Sequence, residues 1–151
     1  MSRTPLKPLR AAYGFTLTEL LVSMAVLAIL TAIALPAYRS YALQANRTDA
    51  VKTLTYDRQI LERCYSQNFS YLNVANDCPG AANITGPSLG GYYQITVNPW
   101  NATSYQLNAV AQGTQVSDTS CQTYTVTQNG TQTALDNAAN NTTQTCWGTT
   151  N

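Results

Sequence analysis

The sequence contains no histidine, and it has no lysine or arginine after Arg63. Histidine is the side chain that titrates near neutral pH and the commonest metal ligand, so the usual general base is missing. Glycine-rich phosphate loops and CxxC spacings are also absent. We therefore predict that the protein is not an enzyme and holds neither a cofactor nor a metal.

Charged residues make up only 10% of the 151 residues, whereas 44% are hydrophobic. Such a composition and length suit one modest globular domain with an apolar anchor. Arg3, Lys7 and Arg10 lie near the start, where there is no acid. By the positive-inside rule this end stays in the cytoplasm and the rest of the chain is directed outward. Without residues 1–14, five bases and seven acids remain, so the remainder is mildly acidic.

An apolar segment runs from Gly14 to Ala37 and carries one carboxylate, Glu19. About 20 residues at about 1.5 Å each cross a hydrocarbon core of about 30 Å as a helix. A carboxylate inside a membrane costs about 2.5 to 3.5 kcal/mol on insertion scales, so Glu19 is expected to have a function and a partner. A cut between Gly14 and Phe15 would create such a partner, because it frees an amino group one helical turn from Glu19. The amino group of a neighbouring copy could then neutralise the Glu19 carboxylate.

These residues resemble a known family. The basic leader ending in Gly14, the start FTLTE from Phe15 to Glu19, the aliphatic run and Pro36 are similar to the class III signal and N-terminal helix of type IV pilins and pseudopilins. The resemblance implies cleavage between Gly14 and Phe15 by a prepilin peptidase, N-methylation of Phe15 and a role for Glu19 in assembly. It also implies other pilin subunits, the inner membrane, the assembly platform and ATPase, and the secretin as partners.

Two other interpretations of the segment stay open. A secretory signal also has a basic start and an apolar core, and Ala32-Ile33-Ala34 fits its cleavage site, although Thr18 and Glu19 interrupt the core. A plain membrane anchor explains the length of the segment but leaves the carboxylate unexplained.

The helical pattern continues from Tyr38 to about Gln67 without glycine or proline. Apolar residues at three- and four-residue spacings predict one buried stripe, made of Ala50, Val51, Leu54, Leu61, Cys64 and Tyr65. Charged residues mark the expected solvated side, at Asp49, Lys52, Asp57 and Arg63. We predict one helix of about 80 Å over residues 15–67. Pro36 either bends it, because proline removes an amide hydrogen bond, or is a tolerated membrane-helix kink.

Residues 68–151 alternate as strands do and are rich in Asn, Gln, Thr, Ser and Tyr. Four strands are predicted, at Gly91–Asn98, Ser104–Ala111, Gln122–Gln128 and Thr131–Leu135. Residues 98–101 are expected to form the turn between the first two, and Asn129-Gly130 predicts a type I′ hairpin between the last two. The tail from Asp136 to Asn151 is expected to be irregular.

The predicted fold class is therefore α+β, a long N-terminal helix packed on a four-stranded antiparallel meander. The predicted regions are a cleaved leader at 1–14, a transmembrane and filament-core helix at 15–37, an amphipathic helix half at 38–67 and a β-sheet head at 68–151.

Four cysteines lie in the part of the chain that the topology places in an oxidising space, which favours disulfides. Of the three possible pairings, neighbours in sequence are preferred: Cys64 with Cys78 and Cys121 with Cys146. Each closure is expected to stabilise the head by about 3 kcal/mol. A zinc site is the alternative, but the wide spacing and the lack of histidine disfavour it.

The head sharpens the resemblance. Cysteines, aromatic residues and their neighbours are similar to those of PilE-type pilins, including minor pilins, at Glu62-Arg63-Cys64-Tyr65, Asn68, Tyr71, Cys121, Tyr124 to Gly130 and Cys146-Trp147. The implied function is that of a structural subunit, assembled from the inner membrane into an extracellular pilus for adhesion and twitching motility. Whether it is a major or a minor subunit stays open.

Two alternatives to this function are a DNA-uptake pilin and a pseudopilin of a type II secretion system. A DNA-binding head needs a basic stripe, and this head has no base after Arg63, so nucleic acid is not an expected partner.

Overall fold

A 52-residue helix, α1, begins at Leu17 and ends at Asn68. The computed structural model describes residues 14–71 and 84–148, with only the backbone of Pro99. The chain divides into two compact units, residues 1–38 and residues 39–151. The prediction of one helix over residues 15–67 is confirmed to within two residues at each end. The helix continues through Pro36.

The first turn of α1 is capped by a threonine. The Thr16 Oγ1 accepts the backbone N–H of Glu19 at 3.2 Å, and the Thr16 carbonyl accepts that of Leu20 at 3.2 Å. Threonine followed three residues later by glutamate is the capping-box pattern, which satisfies amide groups that a helix start leaves unpaired. The local sequence therefore fixes where the helix begins.

In the second unit, α1 buries one face. The buried residues follow three- and four-residue spacings: Ala50, Thr53, Leu54, Asp57, Leu61 and Cys64. Four of the six stripe residues expected from the sequence are buried, and Val51 and Tyr65 are partly buried against the core.

The placement of Asp57 on the solvated side is wrong, since only 5% of this residue is exposed. Asp57 follows Leu54 by three residues and precedes Leu61 by four, so helical geometry puts it within the buried face despite its charge. Asp49 is also partly buried, whereas Lys52 and Arg63 are exposed as expected.

The sheet consists of five antiparallel strands in the order of the chain. They are β1 (Gly86–Pro87), β2 (Tyr93–Trp100), β3 (Tyr105–Ala111), β4 (Thr123–Thr127) and β5 (Gln132–Leu135). A 3-10 helix, Gly113–Ser117, connects β3 to β4, and a short helix, α2 (Thr143–Trp147), follows β5. Alternate residues of β3 are buried, and with their neighbours they share one core with the buried face of α1. The α+β meander is confirmed.

The strand count differs by one from the prediction, because β1 was missed. It comprises two residues, one of them Pro87, at the edge of the sheet. Proline within a short run gives no strand signal, but an edge strand tolerates it, since one side of an edge needs no hydrogen bonds.

The first predicted turn lies three residues too early. Strand β2 runs to Trp100 with an irregular register after Val97, which accommodates proline at position 99 because proline cannot donate to the ladder. The turn is closed instead by Asn101, whose Oδ1 accepts the N–H groups of Thr103 at 3.0 Å and Ser104 at 2.8 Å.

The β4–β5 hairpin exists, but its turn is not type I′. That type requires positive φ at both central residues, whereas the described non-glycine residues with positive φ are Phe69 and Ala139. Gly130 alone has positive φ, 79°, and its N–H donates to the Thr127 carbonyl at 2.9 Å. This is a three-residue loop in which a turn is followed by a left-handed glycine.

The tail is more ordered than expected, since it contains α2 and the disulfide between Cys121 and Cys146. The Trp147 Nε1 donates to the Thr133 carbonyl at 2.8 Å, and its ring meets Tyr124 edge-on. The second predicted pairing is thus confirmed. Cys64 is buried near the end of α1, but Cys78 lies outside the described residues, so that pairing stays a prediction.

Candidate functional site

The first unit presents an apolar helix on which no described residue packs. Every residue from Gly14 to Ser40 is exposed. An 18-residue window in α1 has a mean hydropathy of 2.5 and no buried residue, so by length and composition the helix can cross a membrane. Apolar surface of this extent marks a membrane or a protein interface.

Two hydroxyl side chains in this segment donate hydrogen bonds to backbone carbonyls of the same helix. The Ser23 Oγ donates to the Leu20 carbonyl at 2.8 Å, and the Thr31 Oγ1 donates to the Leu27 carbonyl at 2.9 Å. The Glu19 carboxylate differs, because within residues 14–71 and 84–148 it makes neither a hydrogen bond nor an ion pair. Among the described polar residues at positions 14–37, Glu19 is therefore the one whose side chain still needs a partner.

Gly14 and Phe15 lie just before α1, next to that acid. Phe15 is 87% exposed, and a Cβ placed on Gly14 meets no atom within 4 Å. Gly14 also has no positive φ. The fold therefore gives no packing or backbone reason for glycine at this position.

In the second unit, Asp49 anchors the loop at residues 88–92 to α1. Its carboxylate accepts the Ser88 hydroxyl, the Gly90 N–H at 2.7 Å and the Tyr92 N–H at 3.4 Å. A Cβ on Gly90 would lie 3.0 Å from the Asp49 Cγ, so glycine permits this close approach. The sequence offers no signal for this contact, since its partners lie about forty positions apart.

An ion pair fixes α1 to the segment after the 3-10 helix. The Arg47 guanidinium donates to both oxygens of Asp118, at 2.6 and 2.8 Å. Fully buried Gln115 donates to the same carboxylate at 3.1 Å and to the Leu43 carbonyl at 3.0 Å. The hydrogen bonds with Asp118 raise the pKa of Arg47. Because its cation is committed to this pair, Arg47 is not available to a phosphate.

Glu62, near the end of α1, accepts hydrogen bonds from two tyrosines. It accepts the Tyr105 hydroxyl at 2.8 Å and the Tyr71 hydroxyl at 3.2 Å. Burial, followed by the charge of Glu62, raises the pKa of Tyr71 to about 12. Tyr71 also stacks on Tyr65 with ring centroids 4.4 Å apart. These contacts give Glu62 a structural role in the head.

Among the described residues the remaining cations are few, and all lie on α1. Arg58 is partly buried, and a Cβ on Gly130 would lie 3.1 Å from its Nη2. Arg39, Lys52 and Arg63 are exposed. The outward side chains of β2, β3 and β4 are uncharged: Gln94, Thr96, Asn98, Gln106, Asn108, Val110, Thr123, Thr125 and Thr127. Within the described residues no group of three or more acids or cysteines could hold a metal.

Comparison with known proteins matches the sequence of this chain to pilins. A family model described as "Type IV minor pilin ComP, DNA uptake sequence receptor" matches residues 36–125, more than half of the chain, and one described as "Prokaryotic N-terminal methylation motif" matches residues 9–35.

Two curated relatives are similar over part of their length. Prepilin peptidase-dependent protein D of Escherichia coli (strain K12) is 36% identical over 80 residues, which are 52% of each chain. Type IV pilus subunit protein TapA of Aeromonas hydrophila is 33% identical over 75 residues, 50% of this chain and 53% of that protein. The alignments thus span about half the length of both relatives. The chain has an exposed apolar N-terminal helix and a sheet packed on a helix, and the family model matches more than half of its length. It therefore belongs to the ComP family of type IV minor pilins.

Proposed function

We propose that this pilin is made as a membrane-held precursor, cut between Gly14 and Phe15, N-methylated on Phe15 and assembled into an extracellular filament through its N-terminal helix. The observation that carries the proposal is the carboxylate of Glu19, which has no partner among the described residues although it lies in an exposed apolar helix. The methylation-motif match over residues 9–35 supports the processing step.

Assembly is proposed to use a charge pair between copies. Cleavage after Gly14 frees the amine of Phe15, and the Glu19 carboxylate of a neighbouring subunit neutralises it. In an apolar surrounding two opposite charges attract strongly, and each is costly to leave unpaired. The apolar helix holds each subunit in the inner membrane until that pair forms.

The lack of any structural requirement at Gly14 supports a role in recognition. A prepilin peptidase that accepts glycine on the leader side explains why glycine stands there. The name of the Escherichia coli relative records dependence on such a peptidase for that protein. The other proposed partners are further pilin subunits, the assembly platform and ATPase, and the secretin, and the proposed role is structural rather than enzymatic.

The test replaces Glu19 by Gln. Glutamine also occupies the third position of capping boxes, so the start of the helix should be preserved. Insertion and cleavage should stay normal, whereas incorporation into sheared filaments should fall, because loss of one partner of a buried pair costs about 3 to 5 kcal/mol. Ser23→Ala is the matched control, since that hydroxyl satisfies itself within the helix. Wild-type incorporation of processed Glu19→Gln chain would remove the pairing mechanism.

Reception of DNA is the second candidate function, and the description of the matching family model favours it. The charge distribution opposes it, because three exposed cations lie on α1 and the described strands carry none. Affinity for DNA rises with the number of phosphates that Lys and Arg neutralise. We expect weak binding with a shallow salt dependence, measured by fluorescence anisotropy with duplex DNA and the full chain in detergent. Sub-micromolar affinity at physiological salt that is lost in Lys52→Gln/Arg63→Gln would instead establish DNA reception.

A further inference from the structure

Asp57 is a buried carboxylate that has no partner among the described residues. Only 5% of the residue is exposed, and its Oδ2 has no hydrogen bond within the part of the chain that the structure describes. Buried polar groups are almost always paired, and an unpaired carboxylate is especially costly. The filament function proposed above makes no use of this side chain.

The carboxylate lines a cavity of about 180 Å³ between α1 and the first two strands. The other described lining residues carry no charge, and they are Thr53, Tyr56, Ile60, Ile84, Pro87, Leu89 and Ile95. At roughly 30 Å³ for each water-sized group, the cavity takes about six heavy atoms. It therefore combines a small apolar volume with one acidic group.

Nearby cations do not neutralise Asp57. Arg58 follows it in the sequence, but the guanidinium lies beside Gly130 in the β4–β5 turn. Arg47 is held by Asp118. Burial raises the pKa of Asp57 to about 7, so the carboxyl is partly protonated near neutral pH, and a bound cation would return it to its charged form.

We propose that this cavity binds a short alkylammonium group, with the ammonium on the Asp57 carboxylate and the alkyl chain against Ile60, Ile84 and Leu89. The ammonium supplies the positive charge and the hydrogen-bond donors that the carboxylate lacks. The alkyl chain matches the aliphatic walls and gains from leaving water. A free primary amine and the side chain of a lysine from another protein share this chemistry.

The test titrates Asp57 in the full chain in detergent micelles, by NMR of its carboxyl carbon. The probes are n-butylammonium chloride, n-butanol and sodium chloride, with ionic strength matched. The apparent pKa of Asp57 should fall with butylammonium only. The affinity for butylammonium should be at least about tenfold higher at pH 8 than at pH 5, because a carboxyl of pKa about 7 is largely neutral at the lower pH. An equal response to sodium or butanol, or no response, would overturn the proposal.

Two variants test whether the response to butylammonium depends on the Asp57 carboxylate. Asp57→Asn retains the shape of the side chain and should abolish the butylammonium response, whereas Asp136→Asn removes an exposed carboxylate elsewhere and should leave it intact. Butylammonium binding that survives in Asp57→Asn would contradict the assignment even if the wild-type chain responds.

Carbodiimide cross-linking of filaments separates the two sources of the amine. A peptide that joins Asp57 to a lysine identifies a neighbouring protein as the donor. A retained butylammonium response without such a peptide identifies a free amine.

Discussion

The two units of this pilin differ in how their polar side chains are hydrogen-bonded. In the head, the carboxylates of Asp49, Glu62 and Asp118 each accept several hydrogen bonds from distant parts of the chain. In the N-terminal helix, the hydroxyls bond to their own turns, and the Glu19 carboxylate has no partner among the described residues. In residues 39–151 the described acids other than Asp57 are satisfied by contacts within one chain, whereas the apolar helix needs contacts from outside it.

The apolar side chains show the same contrast. Leu54, Leu61 and Leu107, in the unit of residues 39–151, are fully buried. Leu20, Leu27 and Leu30, in the apolar part of α1, are each more than half exposed. Burial of a large apolar side chain gains about 1.5 to 3 kcal/mol. The head realises this gain within the monomer, and the helix can realise it only in a membrane or against other subunits.

The largest effect should come from a change that touches no contact in the structure. Gly14→Trp leaves the described packing intact but should block cleavage, so the precursor keeps its leader, stays in the membrane and is missing from filaments. Immunoblots of membrane and sheared fractions measure this. Ala37→Trp, in the same exposed segment, is the size-matched control for insertion, and normal processing of Gly14→Trp would refute the cleavage assignment.

In the head, the next largest effect should come from the disulfide. It closes a separation of 25 residues, and Cys121→Ser/Cys146→Ser should lower the free energy of unfolding by about 3 kcal/mol. Denaturation of the full chain in detergent, followed by tryptophan fluorescence, reports on this because Trp100 and Trp147 both belong to the head unit. Leader cleavage should be unaffected, and a variant as stable as the wild type would contradict the prediction.

A smaller effect is expected where Asp49 holds the loop at residues 88–92. Asp49→Ala leaves the Gly90 and Tyr92 N–H groups without their acceptor and should cost about 1.5 to 3 kcal/mol. Gly90→Ala should weaken the same contact by pushing the carboxylate away. Thr55→Ala is the matched control, because its hydroxyl bonds within α1. Additive losses in Asp49→Ala/Gly90→Ala would show that the two residues do not act together.

Prediction from the sequence succeeded where the signal was local. The three- and four-residue spacing located α1, the two-residue alternation located β2 to β5, and sequence proximity favoured the observed pairing of Cys121 with Cys146. Prediction failed where contacts with residues distant in the sequence override a local preference. Asp57 was placed in solvent because of its charge, yet only 5% of the residue is exposed. Asn129-Gly130 predicted a type I′ turn, but the observed loop has positive φ at Gly130 only.

The long apolar helix with its one acid and the order of the strands could be predicted from the sequence alone, because each depends on residue type and on spacings shorter than about ten positions. Which carboxylates are satisfied depends on the tertiary structure. Asp49, Glu62 and Asp118 find donors 9 to 71 positions away, whereas Asp57 finds none in the described chain. The physical reason is that a hydrogen bond or a desolvation cost depends on distances in space, which the packing of α1 on the sheet sets and the spacing of residues along the chain does not.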